Sequence, residues 1–392
     1  MDTIFTVKAE DLARLSSQEA VDLFRELLWA EATALSIGKH LISVPTAITV
    51  ADGGVDAEIR DVPVNDGQGI IKQELTCYQI KTGDYSIREK GNVRKILFTP
   101  RSNGTVLEPR VKACLDKDGT LIIVLFGWDK PEAKPGEFVA IFRDALKNFD
   151  PKYENAEIEV WQPNQLIGFL KPFPSLALKA NGNDDKIFQT HYSWSEQAEM
   201  QRSFKMGDAQ KKFLSDLQTQ LRQDSKAIHI YVRGEAGIGK TRLVLEATRA
   251  DDLSPLVIYC DSPEHFKYSN LMNELLETDN QSSCILVIDE CDFENRTYIW
   301  DKLRNRGQRI KLITIYNEFD LTSGSTIPID VQPLEDAQIS DIITSQIVMI
   351  ITNRLNPLHT SFQKHHTRYS SIAYSKLDSK PITSMQLDET LQ

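Results

Sequence analysis

One stretch constrains this chain more than any other: Gly234-Glu235-Ala236-Gly237-Ile238-Gly239-Lys240-Thr241 meets the spacing G-x-x-x-x-G-K-[ST] at every fixed position. The apolar run Ile228–Val232 leads straight into it, and Leu243, Val244 and Ala247 give the segment behind it an apolar helical face. Strand, glycine loop and helix in that order make a phosphate cradle. Glycines let backbone N–H groups turn inward, and the helix N-terminus adds partial positive charge. The cradle suits ATP or GTP: Lys240 is expected at the β- and γ-phosphates and Thr241 on magnesium, with Glu235, Ala236, Ile238 and Arg242 among the loop's nucleotide contacts. A second apolar run, Cys284–Ile288, delivers Asp289 and Glu290 to a strand end. Asp289 is the expected partner of Thr241 in holding magnesium, and Glu290 the base that orients and deprotonates the attacking water. Asn317, closing another apolar run, reads equally as a polar sensor beside the γ-phosphate or as an ordinary turn residue.

Around this loop the chain alternates helices with strands at Ala227–Val232, Pro255–Cys260, Cys284–Ile288 and Ile310–Tyr316, which predicts a parallel α/β sheet. Upstream, Val21, Phe24, Leu27, Leu28 and Leu35 recur at helical spacing and predict a helix from Ser17 to about Ile42. Strand-like runs follow at Ala47–Val50, Val55–Arg60 and Leu75–Lys81, the last two separated by the turn formers Asn65–Gly69, so a hairpin is expected. A strand at Leu121–Phe126, a helix over Gly136–Lys147, a strand at Ala156–Trp161 and a short helix at Asn164–Leu170 complete a mixed sheet flanked by helices. The expected fold class is therefore α/β in two domains, 15–175 and 201–346. Residues 176–200, with Asn-Gly-Asn-Asp-Asp and little apolar period, read as a linker or exposed connection. Residues 347–392 are rich in Ser, Thr, His, Asn and Lys and read as a poorly ordered tail, the remnant of a truncated or frame-shifted longer protein.

Two further segments carry chemistry: Asp52-Gly-Gly-Val-Asp56-Ala-Glu58 and Cys77-Tyr-Gln79-Ile-Lys81. Side chains alternate along a strand, so Asp56 can share a face with Glu58, and Gln79 with Lys81. Paired as a hairpin, these runs bring carboxylates and one lysine to a single point, with Glu31 on the preceding helix a candidate to complete the set. An acidic cluster of this kind suits magnesium, and the ion can activate water and polarise a phosphodiester. The bland alternative is a hairpin with charges on its solvated face.

The glycine loop, the Ile288-Asp289-Glu290 run and the stretch Ile329-Asp-Val-Gln-Pro-Leu-Glu-Asp-Ala-Gln-Ile-Ser-Asp-Ile-Ile resemble the signal-transduction P-loop ATPases with numerous domains (STAND), over about Phe204–Ser345. Residues 15–172 resemble the restriction-endonuclease fold in its Mrr-like version. That resemblance assigns Asp56 to the metal aspartate, Gln79 to the position usually held by Asp or Glu, and Lys81 to the lysine. A nuclease joined to a STAND-type NTPase is similar to the antiphage defence proteins called AVAST. The resemblance implies a magnesium-dependent endonuclease acting on double-stranded DNA, governed by ATP and forming a homo-oligomer on activation. Such proteins continue into a winged-helix lid and a repeat-built sensor, whereas this chain stops first. Two other readings stand beside it: a nucleotide switch whose N-terminal domain only binds DNA or partners, and a DNA motor, disfavoured because no helicase motif series is present.

A net charge of −11 argues against a generally sticky nucleic-acid binder but leaves room for a local basic groove. Five cysteines without CxxC spacing suggest neither zinc nor a disulfide framework, which fits a reducing cytoplasm. No apolar run approaches the roughly 18–20 residues a membrane helix needs, and the N-terminus lacks signal-peptide character, so no membrane partner is expected. Trp29, Trp128 and Trp161 read as core. His40 and His229 lack metal-ligand companions, and the arginine-rich Leu303–Arg309 reads as a solvated helix end in preference to a contact with nucleotide or a neighbouring subunit.

Overall fold

The computed structural model describes residues 4–44, 53–62, 69–72, 75–101, 104–127, 136–184, 187–202, 204–223, 227–277, 282–305, 310–317, 325–333 and 340. The expected strand Ala47–Val50, most of the turn Asn65–Gly69, Trp128, residues 306–309 of the arginine-rich run and the tail 347–392 lie outside them.

The N-terminal half is built on a mixed five-stranded sheet. Its strands are β1 (Ile42–Ser43), β2 (Ala57–Ile59), β3 (Thr76–Lys81), β6 (Thr120–Leu125) and β7 (Ile158–Trp161), in the order β1-β2-β3-β6-β7. A separate ribbon pairs β4 (Phe98–Arg101) with β5 (Gly104–Leu107). The expected hairpin pairing is present: β2 runs antiparallel to β3, with Glu58 opposite Cys77. β3, β6 and β7 are parallel neighbours. The sequence Thr-Leu-Ile-Ile-Val-Leu of β6 is a continuous apolar run because helices cover both of its faces.

Helix α1 (Ala9–Ala13) precedes α2 (Ser17–Ala34), whose buried face includes Val21, Phe24, Leu27 and Leu28. Ser16 and Glu19 form a capping box at the start of α2, the Glu19 amide donating to Ser16 Oγ and the Ser16 amide to Glu19 Oε2. Phe24 meets Tyr78 with ring centroids 5.2 Å apart. The helix ends eight residues earlier than its apolar period predicts, because Ser36 takes a left-handed φ of 56° and turns the chain. The opposite face of the sheet packs on α3 (Lys90–Leu97), α4 (Pro109–Leu115) and α5 (Glu137–Phe149), through Ile96, Val111, Cys114, Phe142 and Leu146. Two short helices follow β7: α6 (Pro163–Leu170) and α7 (Pro174–Asn181).

Residues 176–200 are not an exposed linker. In α7, Leu176, Ala177, Leu178 and Ala180 are buried. Gln189–Thr190 then forms strand β8, and His191–Ser195 forms helix α8 with Trp194 fully buried. Their apolar residues are too few and too closely spaced in sequence to show a period, yet each meets a neighbour from elsewhere in the chain.

The second sheet contains β8, β9 (Ile228–Arg233), β10 (Val257–Cys260), β11 (Cys284–Ile288), β12 (Ile310–Tyr316) and β13 (Thr326–Asp330), in the order β13-β9-β12-β11-β10-β8. The five strands from β9 to β13 are parallel, as the alternating pattern predicts, and β8 adds an antiparallel edge. Helices α9 (Asp208–Arg222), α10 (Lys240–Ala247), α11 (Pro263–Lys267), α12 (Asn270–Leu276) and α13 (Phe293–Leu303) accompany it. Both sheets belong to one compact unit. Polar contacts tie them together: Thr33 Oγ1 donates to the Asp252 carbonyl at 2.8 Å, and the Ser283 amide to the Pro172 carbonyl at 2.7 Å. All five cysteines are buried and unbridged. Trp161 is core, whereas Trp29 is half-buried, with Arg25 and Lys39 over its ring. Among the described residues, no helix is long and apolar enough to cross a membrane.

Candidate functional site

Strand order assembles the candidate phosphate site. The parallel strands β9, β12 and β11 are neighbours, so their C-terminal ends open onto one edge, where ligands of open α/β sheets bind. β9 ends in the glycine loop, β12 in Asn317, and β11 in Asp289-Glu290. Gly237 and Gly239 have φ of 80° and 87°, a region that side chains with a Cβ rarely adopt. A Cβ on Gly234 would stand 2.6 Å from Ile238 Cδ1 and 3.0 Å from the Val331 carbonyl. The loop therefore demands these glycines for its conformation and its packing.

Lys240 opens α10 with its ammonium folded into the loop. It donates to the carbonyls of Gly234 (3.1 Å) and Glu235 (2.7 Å) and to Asn317 Oδ1 (2.7 Å). Asn317 thus meets the loop lysine across 77 residues of sequence. Burial lowers the Lys240 ammonium below its ordinary range, with Asp289 and Glu290 opposing. Thr241 Oγ1 donates to Asp289 Oδ2 at 2.7 Å, Tyr259 Oη reaches the same oxygen at 3.3 Å, and the Glu290 amide donates to Asp289 Oδ1 at 2.9 Å. Burial raises the Asp289 carboxyl, and these donors act against it. Glu290 is exposed and holds a left-handed φ of 49°, a strain of about 1–2 kcal/mol for a residue with a Cβ. That backbone turn is what aims its amide at Asp289. Arg242 is directed elsewhere: its guanidinium holds the carbonyls of Met200 (2.6 Å) and Arg202 (2.9 Å) and pairs with Glu246. Expected among the nucleotide contacts, it anchors the chain ahead of α9.

The N-terminal constellation is only partly assembled. Alternation and register put Asp56, Glu58, Cys77, Gln79 and Lys81 on the same face of β2 and β3. The Asp56 amide donates to the Tyr78 carbonyl at 2.8 Å, and its Oδ2 accepts from the Ile80 amide at 2.7 Å. Its carboxylate therefore rests on β3 between Gln79 and Lys81. Gln79 is 4% exposed, and its Oε1 is buried with no hydrogen-bond partner among the described residues. Glu58 does not join this group. It is buried and paired with Arg60 and with Arg110 of α4, the latter at 2.8 Å. Burial works to raise its carboxyl, and the two arginines together overcome that and hold it below the ordinary range. Glu31 also stands apart: it accepts from the Ile70 amide at 3.1 Å on the α2 side of the sheet, where Tyr78 Oη reaches the Ile70 carbonyl. Among the described residues, no group of three or more His, Cys, Asp or Glu side chains is arranged to hold a metal ion.

Sequence reasoning missed Arg110, Tyr259 and Trp194, since a lone arginine, tyrosine or tryptophan carries no spacing signal. His229 is a structural residue, as its lack of metal companions suggests: its ring bridges the hydroxyls of Thr314 (2.9 Å) and Thr326 (3.0 Å).

No family model matches the chain, and no curated protein does. Among solved structures, PCH-2 of C. elegans is similar at 14% identity over 33% of this chain and 44% of its own length, with a TM-score of 0.25. Trip13 from Rhizobiales is similar at 18% identity over 38% of this chain and 56% of its own, with a TM-score of 0.21. The chain spans under two thirds of either protein, and likenesses this distant carry no weight here. In the second half, the glycine-loop motif is joined by the contacts of Lys240 with Asn317 and of Thr241 with Asp289.

Proposed function

We propose that the second half binds and hydrolyses ATP with magnesium, and that nucleotide state governs an N-terminal endonuclease acting on double-stranded DNA. The observation that carries the first part is the meeting of Lys240 with Asn317, and of Thr241 with Asp289, at adjacent parallel strand ends. Thr241 and Asp289 are suited to hold magnesium, which would neutralise charge on the β- and γ-phosphates when bound. Lys240 supplies a fixed charge to the same oxygens. Glu290, next to Asp289 and exposed toward solvent, is suited to take the proton of the attacking water.

The nuclease reading is supported by Asp56, Gln79 and Lys81 sharing one face toward the C-terminal end of β3, and by the orphaned Gln79 oxygen. A buried amide oxygen without a donor is costly, by about 1–3 kcal/mol, unless a cation or water answers it. Asp56 and Gln79 together are a two-oxygen set of the kind that holds magnesium with water filling the remaining positions. The bound ion would activate water and polarise the phosphodiester, while Lys81 would stabilise the charge that develops on it. The resemblance of the two halves to AVAST modules supports placing this activity in antiphage defence, with self-association on activation. A regulatory switch with a binding module in place of a nuclease is the second reading. It is favoured by the capture of Glu58 by Arg60 and Arg110, which leaves one carboxylate where two were expected.

Supercoiled plasmid with magnesium, with and without ATP, separates the two. The nuclease reading expects cleavage that is lost in both Asp56→Ala and Lys81→Ala while DNA binding survives in the latter. Cleavage that persists in both variants removes these residues from the role. No cleavage under any nucleotide state favours the binding module.

A further inference from the structure

The connector between the two sheets reaches the magnesium carboxylate through one side chain that the phosphate-site motifs leave out. Tyr259 lies on β10, flanked by β11 and β8, with Val287 opposite it on one side and Gln189 on the other. Its ring is 7% exposed, and its hydroxyl lies 3.3 Å from Asp289 Oδ2. Trp194 of α8 stacks on that ring, with centroids 4.3 Å apart and planes within 10° of parallel. Trp194 is fully buried although its Nε1 finds no hydrogen-bond partner among the described residues, so stacking and packing hold it against an unanswered donor. The same helix reaches α10 as well, where His191 Nε2 donates to the Leu245 carbonyl at 3.0 Å.

We propose that Tyr259 is a positioning residue for Asp289, and that the Trp194 stack makes the magnesium site answer to the connector. This rests on the nucleotide reading above. Asp289 Oδ2 has two hydroxyl donors, Thr241 and Tyr259. When the Thr241 oxygen turns its lone pair to magnesium, the Tyr259 hydroxyl is the donor that stays. It holds the Asp289 carboxylate in the orientation in which Oδ2 faces Thr241.

Tyr259→Phe removes the donor and keeps the ring for Trp194. Nucleotide affinity without magnesium is expected to stay as in the parent. The magnesium concentration for half-maximal hydrolysis is expected to rise about tenfold, the size of one lost hydrogen bond to a charged group. Trp194→Phe keeps a ring against Tyr259 but loosens the stack, and should raise the magnesium requirement by less. It also serves if Tyr259→Phe fails to fold. A parent that binds ATP and hydrolyses it, with unchanged magnesium dependence in either folded variant, overturns the positioning role alone. A parent that binds no nucleotide overturns the nucleotide reading and this role together.

Discussion

His229 offers a quantitative test of the strand order that builds the phosphate site. It lies on β9, the strand that enters the glycine loop, and is 1% exposed. Its two ring nitrogens are engaged by Thr314 of β12 and Thr326 of β13, the strands on either side. Burial, with the nearby Arg296 charge added, pushes its imidazole down to about 3 from 6.5. The folded-state value is depressed, so the unfolded chain binds the extra proton between those limits. The stability contributed by the neutral ring is fully present above pH 6.5 and is lost as the pH falls toward 3. The slope within that window is about 1.4 kcal/mol per pH unit. Between pH 6 and pH 4.5 the parent should therefore lose about 2 kcal/mol more than a variant without the imidazole. His229→Gln is that variant. Its absolute stability at pH 7 will be lower, by about 1–3 kcal/mol, since hydrogen bonds and ring packing on Trp300 are lost. The decisive quantity is the difference in pH dependence, read from urea unfolding midpoints at a series of pH values. Parallel curves for parent and variant would refute both the buried, neutral histidine and the placement of β9 between β12 and β13.

The other expectations concern activity and the connector. Lys240→Ala should abolish nucleotide binding by calorimetry with an unchanged circular dichroism spectrum, because it deletes the charge held at the loop; unaltered affinity would sink the P-loop assignment. Glu290→Gln should keep binding and lose hydrolysis, and a variant turning over at the parental rate would remove Glu290 from the chemical step. Trp194→Ala should destabilise the fold by about 3–5 kcal/mol, as expected for a fully buried aromatic, whereas a residue in an exposed linker would change stability by less than about 0.5 kcal/mol.

Local pattern determined a good deal of this protein. The glycine loop, its preceding strand and its following helix were legible because their chemistry needs fixed residue types at fixed spacing along one short segment. The strands Cys284–Ile288 and Ile310–Tyr316 were legible to the residue, because sheets covered on both faces leave continuous apolar runs. The β2–β3 pairing followed from a turn-rich separator, and the shared face of Asp56, Gln79 and Lys81 from the alternation of side chains. What only the tertiary structure decided depends on contacts between segments far apart in the chain. The insertion of β12 between β9 and β11 brings Asn317 to Lys240, and no periodicity in either strand encodes which neighbour it takes. Arg110 removes Glu58 from the acidic cluster across 52 residues, a competition between a cation ligand and an ion pair that spacing cannot foresee. Arg242 belongs to the loop by sequence and to the Met200–Arg202 backbone by geometry. The stretch read as a linker packs Trp194 onto Tyr259 because burial is conferred by the partner surface, and a short segment with one tryptophan carries no trace of that partner in its own composition.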